Sequence, residues 1–329
     1  MPLLSLIDAG ELVSRTLLRA RTGADNAASV ARALVAAEAD GLKGHGLTRV
    51  PSYAAQTKVG KVDGFAKPVL TRARASLLVI DAANGFAFPA LDMAVAALPE
   101  ATRSQGVAAA AIRRSHHCGA AGLTVERLAE SGLVTLMLAN TPSAMAPWGG
   151  SKAVFGTNPI AFACPLKGRA PLVIDLSLSK VARGNIVTAK QRGEKIPQGW
   201  ALDEAGQPTT DPDAALRGTM VPAGEAKGTA LALMVELLAA GLTGANFAAE
   251  ASSYLDAKGP PPGTGQLIVA FDPSAFGGDA VARFALLAQS IERQEGARLP
   301  GARRLAARKK AASEGLSISD ALLVEINAA

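Results

Sequence analysis

Six short apolar runs decide what this chain can fold into: "SLLVID" (76–81), "VAAAAI" (107–112), "LVTLMLA" (133–139), "IAFAC" (160–164), "LVID" (172–175) and "QLIVAF" (266–271). Most lack charge along their length, and helical periodicity fills several of the gaps between them. Runs of this kind read as strands buried on both faces, so the middle of the chain predicts an α/β fold with helices laid over a sheet.

On both sides of that region the pattern turns helical. The opening "MPLLSLIDAGELVSRTLL" is amphipathic, a second helix starts near Asn26 with Val30, Leu34 and Ala37 on its apolar face, and a third runs through "PSYAAQTKVG" with Pro51 in its first turn. Farther on, "TTDPDAAL" predicts a helix capped by Asp211, and "SISDALLVEI" one opened by Ser317 and Asp320 in capping-box spacing. The chain thus divides into a helical segment 1–72, a central α/β region 73–281 and a helical segment 282–329, with the two helical ends packed together.

Several classes of protein are excluded. At 49% hydrophobic and 19% charged residues, the 329-residue chain is globular rather than disordered. Asp8 and Glu11 argue against a signal peptide, while Glu236 and two glycines interrupt "TALALMVELLAAGLTGANFAA", which reads as a buried helix and not a membrane span. Cys118 and Cys164 form no redox or metal spacing, which fits a reducing cytoplasm. Aromatics at 4% are too few for base-stacking platforms, and a net charge of +6 spread along the chain suits a small anionic ligand better than nucleic acid.

All three histidines stand in glycine-bordered segments. His45 lies between Gly44 and Gly46, and Arg49 follows four residues on, which in a helix sets both on one face. A turn histidine in the core is one reading. The other is a general acid beside an arginine that clamps a carboxylate, with the glycines admitting a substrate. His116 and His117 precede Cys118, but adjacent residues rarely converge on one ion, so no metal is expected; a site-lining role fits, where a helix at 119–131 offers N–H groups to an anion. The stretch "NTPSAMAPWGGSKAVFGTNPIAFACP" is a surface loop or a ligand-lining one with Thr141 and Thr157 as donors. "RLPGARRLAARKK" is a solvated helix face, or else Pro300, Gly301 and Ala302 approach a cofactor whose phosphates the arginines favour. Neither the Rossmann G-x-G-x-x-G turn nor a phosphate loop is present.

Taken together, "GHGLTRVPSY", "SHHCGAAG", "APWGGSKAVFGTNPIAFACP", "VIDLSLSKVARGNI", "GEKIPQGWALDEAGQPTTDP", "AKGTALALMVELLAAGLTG" and "LPGARR" resemble the malate/L-lactate dehydrogenase family. That family includes ureidoglycolate and sulfolactate dehydrogenases and the Δ1-piperideine-2-carboxylate/Δ1-pyrroline-2-carboxylate reductases. The resemblance implies a mixed-sheet, non-Rossmann dinucleotide-binding fold and a homodimer using NAD or NADP, with NADPH slightly favoured. It implies hydride transfer to or from C2 of a small 2-oxo or 2-hydroxy carboxylate such as malate, lactate or sulfolactate. Cyclic ketimine reduction is the alternative, and a non-catalytic small-acid-binding protein a distant one. By the same resemblance His45 matches the proton donor, Arg49 the carboxylate-binding arginine, and His117 and Thr157 substrate-side positions. Thr141, Asp175, Leu176, Ser177, Lys227, Pro300, Gly301 and Ala302 match cofactor-contacting segments. Gly44 replaces the serine common before the histidine-glycine pair. Asn185 stands where ketimine reductases can carry an aspartate, which favours the keto acid over the imine.

Overall fold

The computed structural model describes residues 2–329. A short strand β1 (Leu3–Leu4) leads into helices α1 (Leu6–Arg19), α2 (Ala24–Ala39) and α3 (Val50–Lys58). Ser5 caps α1 by accepting from the Asp8 N–H at 3.0 Å, and Pro51 sits in the first turn of α3. Then come β2 (Val69–Arg74), β3 (Leu77–Asp81), α4 (Ala87–Gln105), β4 (Val107–Ser115), α5 (Ala121–Glu130), β5 (Val134–Ala139), β6 (Ile160–Leu166) and β7 (Arg169–Leu176). A small lobe follows: α6 (Arg183–Gln191), β8 (Ala201–Leu202), β9 (Pro208–Thr209), α7 (Pro212–Arg217) and β10 (Thr219–Met220). The chain continues through α8 (Ala226–Glu236), β11 (Thr264–Phe271), α9 (Ala280–Glu292), α10 (Ala302–Glu314), β12 (Leu316–Ser317) and α11 (Asp320–Ala328).

Seven strands form one mixed sheet in the order β2-β3-β4-β11-β5-β6-β7, in which the β3–β4 pair is parallel and the others antiparallel. All six apolar runs are strands of this sheet. The seventh, β2, is an edge strand whose "VLTRAR" carries two arginines that an edge can leave in solvent. On one face Leu78, Ile80, Ile112, Met137 and Ile268 pack under α4 and α5. There Ala108 and Ala110 of β4 and Ala87, Ala90 and Ala94 of α4 are all buried, so small side chains let helix and sheet approach closely.

The helical ends meet. Strand β1 pairs antiparallel with β12, and Arg19 on α1 donates to the Asn327 carbonyl of α11 at 3.2 Å. Because Ser317 is held in that strand pair opposite Leu3, it does not cap α11; Ser319 does, accepting from the Leu322 N–H at 3.2 Å. Two of the three arginines of α10 differ from expectation too. Arg304 and Arg308 turn inward, donating to Asp40 and Glu126 over 2.6 to 3.2 Å, and therefore neither form a solvated face nor remain available to a phosphate.

Helix α8 is likewise not buried all round. It continues into a wide π turn at Leu237–Gly241, and the two bury Ala232, Val235, Glu236, Ala239 and Ala240 while Leu231, Leu233, Met234, Leu237 and Leu242 stay exposed. The sheet covers one side of an apolar helix and leaves the other to solvent. Among the described residues no helix is long and apolar enough to cross a membrane.

Candidate active site

One edge of the sheet gathers the predicted residues. Strand β4 ends at Ser115, just before His116 and His117, and β5 ends at Ala139, just before Asn140 and Thr141. Strand β11 begins between them, pairing Thr264 with Ser115 and Gln266 with Ala139. On the far side Ile160 at the start of β6 pairs with both Leu138 and Leu176, which brings Thr157 and the Asp175–Ser177 segment to the same edge.

His45 is presented from outside the sheet by two short 3-10 turns, Lys43–His45 and Leu47–Arg49, joined at Gly46. The chain here is not one helix. Instead Arg49 folds back, its Nε donating to the Gly44 carbonyl at 2.6 Å. The two glycines have different causes. A Cβ at Gly44 would meet nothing within 4 Å, so the space beside His45 is open there. At Gly46 it would lie 2.2 Å from Glu38 Oε2, the oxygen that accepts the Leu47 N–H at 2.9 Å. Gly46 therefore serves the buried carboxylate beneath the loop, not a ligand.

His45 Nδ1 and His117 Nε2 lie 3.3 Å apart with ring planes within 18°, and Tyr53 Oη lies 2.6 Å from His117 Nδ1. Tyr53 is fully buried on α3, eight residues beyond His45, and it was missed in the sequence although only two tyrosines occur there. The second, Tyr254, packs against both His116 and His117 and hydrogen-bonds Thr264 at 2.6 Å. His116 points elsewhere: its Nε2 is 2.9 Å from Gln56 Oε1, so it is a packing residue.

These groups are electrically tuned by burial. Burial first, then the Arg49 charge, lowers His45 from 6.5 to about 4. Burial lowers His116 to about 3, and His117 well below the usual histidine range. The Tyr53 phenol is pushed up by burial and keeps its proton. At neutral pH all three imidazoles are uncharged.

Thr141 and Thr157 meet across their loops: the Thr157 N–H donates to Thr141 Oγ1 at 2.9 Å, and the hydroxyls are 3.4 Å apart. The N-terminus of α5, predicted to be open to an anion, is occupied by Asp175, whose Oδ2 accepts the Gly122 N–H at 2.7 Å. Nearby protein desolvates the Asp175 carboxyl and raises it, although the residue keeps exposed surface at the end of β7. Leu176 is exposed and Ser177 Oγ lies 3.1 Å from Ser179 Oγ. Gly301, at φ +84°, would place a Cβ 3.3 Å from the Val173 carbonyl, so the Pro300–Ala302 turn lies against β7 near Asp175. Lys227 stands apart, exposed in the first turn of α8, with no ion pair among the described residues. Asn185 is exposed on α6 in the small lobe.

The mixed sheet, without a Rossmann turn, thus carries a histidine-tyrosine chain and an arginine at one end of its strands. The chain belongs to the malate/L-lactate dehydrogenase family, whose sequence profile matches residues 5–327. It is 53% identical over 298 residues to the (2R)-3-sulfolactate dehydrogenase (NADP(+)) of Chromohalobacter salexigens, covering 91% of this chain and 89% of that one. To the Delta(1)-pyrroline-2-carboxylate/Delta(1)-piperideine-2-carboxylate reductase of Pseudomonas aeruginosa it is 42% identical over 327 residues, 98% of each chain. The crystal structure of delta1-piperideine-2-carboxylate reductase from Pseudomonas syringae superposes with a TM-score of 0.94 at 39% identity, covering 100% of this chain and 99% of that one.

Proposed function

We propose that this chain is an NAD(P)-dependent oxidoreductase that interconverts a small 2-oxo and 2-hydroxy carboxylate of the malate, lactate or sulfolactate kind, with His45 exchanging the proton. The observation that carries this reading is the hydrogen-bonded series Tyr53, His117, His45 beside Arg49. Tyr53 Oη has no other partner among the described residues, so it donates to His117 Nδ1. The His117 proton then sits on Nε2 and is given to His45 Nδ1. That assigns the proton of neutral His45 to Nε2, the nitrogen facing away from His117 and toward the substrate.

Arg49 holds the substrate carboxylate through its guanidinium, with Nε already spent on Gly44. A bound carboxylate cancels the charge that helps depress His45, so substrate binding favours protonation of the imidazole when a proton is to be donated. In the reverse direction the order inverts, His45 Nδ1–H donating to His117 Nε2 and His117 Nδ1–H to Tyr53 Oη, which frees His45 Nε2 to accept the hydroxyl proton. His117 and Thr157 line the substrate side.

The residues present fit a dinucleotide. The exposed Asp175 carboxyl, the close approach of Gly301 to β7, the Thr141 hydroxyl and the unpaired ammonium of Lys227 combine a hydroxyl-binding carboxylate with donors for phosphate. Thr141, Asp175, Leu176, Ser177, Lys227, Pro300, Gly301 and Ala302 would hold it, and the group supplies hydride chemistry at nicotinamide C4. The NADP(+) dependence named for the sulfolactate dehydrogenase supports NADPH over NADH.

Cyclic ketimine reduction is the second reading, favoured by the match to the two piperideine-2-carboxylate reductases. A homodimer is supported by the exposed apolar face of α8 and its π turn, continued by Trp148, whose N–H donates to Thr229 Oγ1 at 2.8 Å. A cytoplasmic location fits the two free, buried cysteines.

The test is a spectrophotometric panel of pyruvate, oxaloacetate, sulfopyruvate, piperideine-2-carboxylate and ureidoglycolate with both cofactors. The best acid is then compared with its methyl ester on wild type and Arg49→Ala. Wild type should prefer the free acid and Arg49→Ala should lose that preference; no turnover of any acid would refute the reading.

A further inference from the structure

Glu236, which the sequence offers only as an interruption in an apolar run, is a buried carboxylate with no ion pair among the described residues. Three N–H donors hold it instead. Its Oε1 accepts from Asn140 Nδ2 at 3.1 Å and from the Ala248 N–H at 2.6 Å, and its Oε2 accepts from Asn158 Nδ2 at 2.7 Å. Asn140 immediately precedes Thr141, and Asn158 immediately follows Thr157.

Both asparagines are locked further. Asn140 Oδ1 accepts the Gly265 N–H at 2.8 Å, and its Nδ2 also donates to the Asn246 carbonyl at 2.9 Å. Asn158 takes φ +40°, which L side chains rarely adopt, and its Nδ2 also donates to the Ala232 carbonyl at 3.1 Å. Space is used up around them. A Cβ at Gly156 would lie 2.1 Å from Thr141 Oγ1, and one at Gly265 would lie 2.0 Å from the Ala239 carbonyl in the π turn that directly follows Glu236.

We propose that Glu236 is a positioning residue whose two oxygens separately set the two threonines, Oε1 holding the Thr141 loop through Asn140 and Oε2 holding the Thr157 loop through Asn158. Resting on the reading above, in which Thr141 meets cofactor and Thr157 meets substrate, one buried carboxylate keeps the two binding surfaces in register. The two oxygens have different partners, so they can be uncoupled. In Glu236→Gln the amide oxygen still serves Asn140 and Ala248, while its NH2 faces Asn158 Nδ2, donor against donor. Asn158→Gly tolerates the positive φ and removes the same link from the other side.

The experiment measures the KM of the best acid and the cofactor Kd, by fluorescence titration, for Glu236→Gln, Asn158→Gly and Thr157→Val. The expected result is a roughly tenfold rise in acid KM in all three with cofactor Kd within about twofold, as for loss of one buried hydrogen bond to a charged group. Acid KM and cofactor Kd rising in equal proportion in the first two variants, or neither moving while Thr157→Val raises the KM, overturns the clamp. If Glu236→Gln fails to fold, Asn158→Gly carries the comparison. If Thr157→Val leaves acid KM unchanged, the substrate role of Thr157 falls, and the crystal structure of Asn158→Gly decides the clamp: loss of the 2.9 Å contact from the Thr157 N–H to Thr141 Oγ1 supports it, and retention overturns it.

Discussion

Replacing Tyr53 by phenylalanine removes one oxygen and little else, because the ring stays packed against Phe86 and Phe88. His117 Nδ1, buried and 2.6 Å from that oxygen, is then left without a partner. Such an orphan costs about 1–3 kcal/mol. It can be relieved by moving the His117 proton from Nε2 to Nδ1, but then His117 Nε2 must accept, which pulls the His45 proton onto Nδ1 and away from substrate. Either way the productive tautomer is disfavoured by about 1–3 kcal/mol, which converts to roughly 5- to 150-fold in turnover. Steady-state kinetics in the reductive direction, where His45 must present an N–H to the substrate, should show that loss in kcat with substrate KM little changed at saturating cofactor, since Arg49 is untouched. Thermal unfolding of the same variant separates lost stability from lost chemistry. A kcat within about twofold of wild type would refute the assigned proton order.

Three further outcomes follow from the site. Gly46→Ala should destabilise the protein by about 1–3 kcal/mol, because its Cβ meets the Glu38 carboxylate, whereas Gly44→Ala should keep wild-type melting behaviour, its Cβ meeting nothing within 4 Å. In the oxidative direction kcat/KM should fall in acid with a midpoint near the His45 value of about 4, since protonation removes the base; His45→Ala should lower kcat by roughly 10²- to 10⁴-fold. Burial pushes the Glu126 carboxyl up, but its hydrogen bonds to Arg304 and Arg308 outweigh this and hold it below its ordinary 4.5. The stability it contributes is complete above that value and is lost as pH falls through the lower folded one. Melting temperatures taken over roughly pH 3 to 6 should therefore fall less steeply with acid in Arg304→Met than in wild type.

The central sheet was legible because each of its inner strands is a short unbroken apolar run, a signal local to the segment. Edge strand β2 alternates apolar and charged residues, and the two-residue strands β1, β8, β9, β10 and β12 carry too little sequence to show a period. At the site, His45, Arg49 and His117 announced themselves by residue type and glycine neighbours. Tyr53 and Glu236 did not, since a buried polar group acquires its meaning from partners distant in the chain: Tyr53 from a histidine 64 residues on, Glu236 from asparagines 96 and 78 residues back. The inward turn of Arg304 and Arg308 is illegible for the same reason, because their acids lie 264 and 178 residues from the first and 268 and 182 from the second.

The docking of the helical ends has a kinetic consequence. The layer that presents His45 is fastened by contacts such as Thr16 to Ile326, which close a loop of 310 residues, and by the β1–β12 pair. Contacts that far apart in sequence form slowly, because their chain-closure entropy is spent before any of their energy is gained. The pairs β2–β3, β3–β4, β5–β6 and β6–β7 can form from near neighbours first, and even the longest sheet pairing, β11 with β4, closes a loop of only about half that length, Thr264 to Ser115 being 149 residues apart. During refolding, sheet signals measured by circular dichroism should therefore recover ahead of catalysis, leaving an interval in which the protein is structured yet inert.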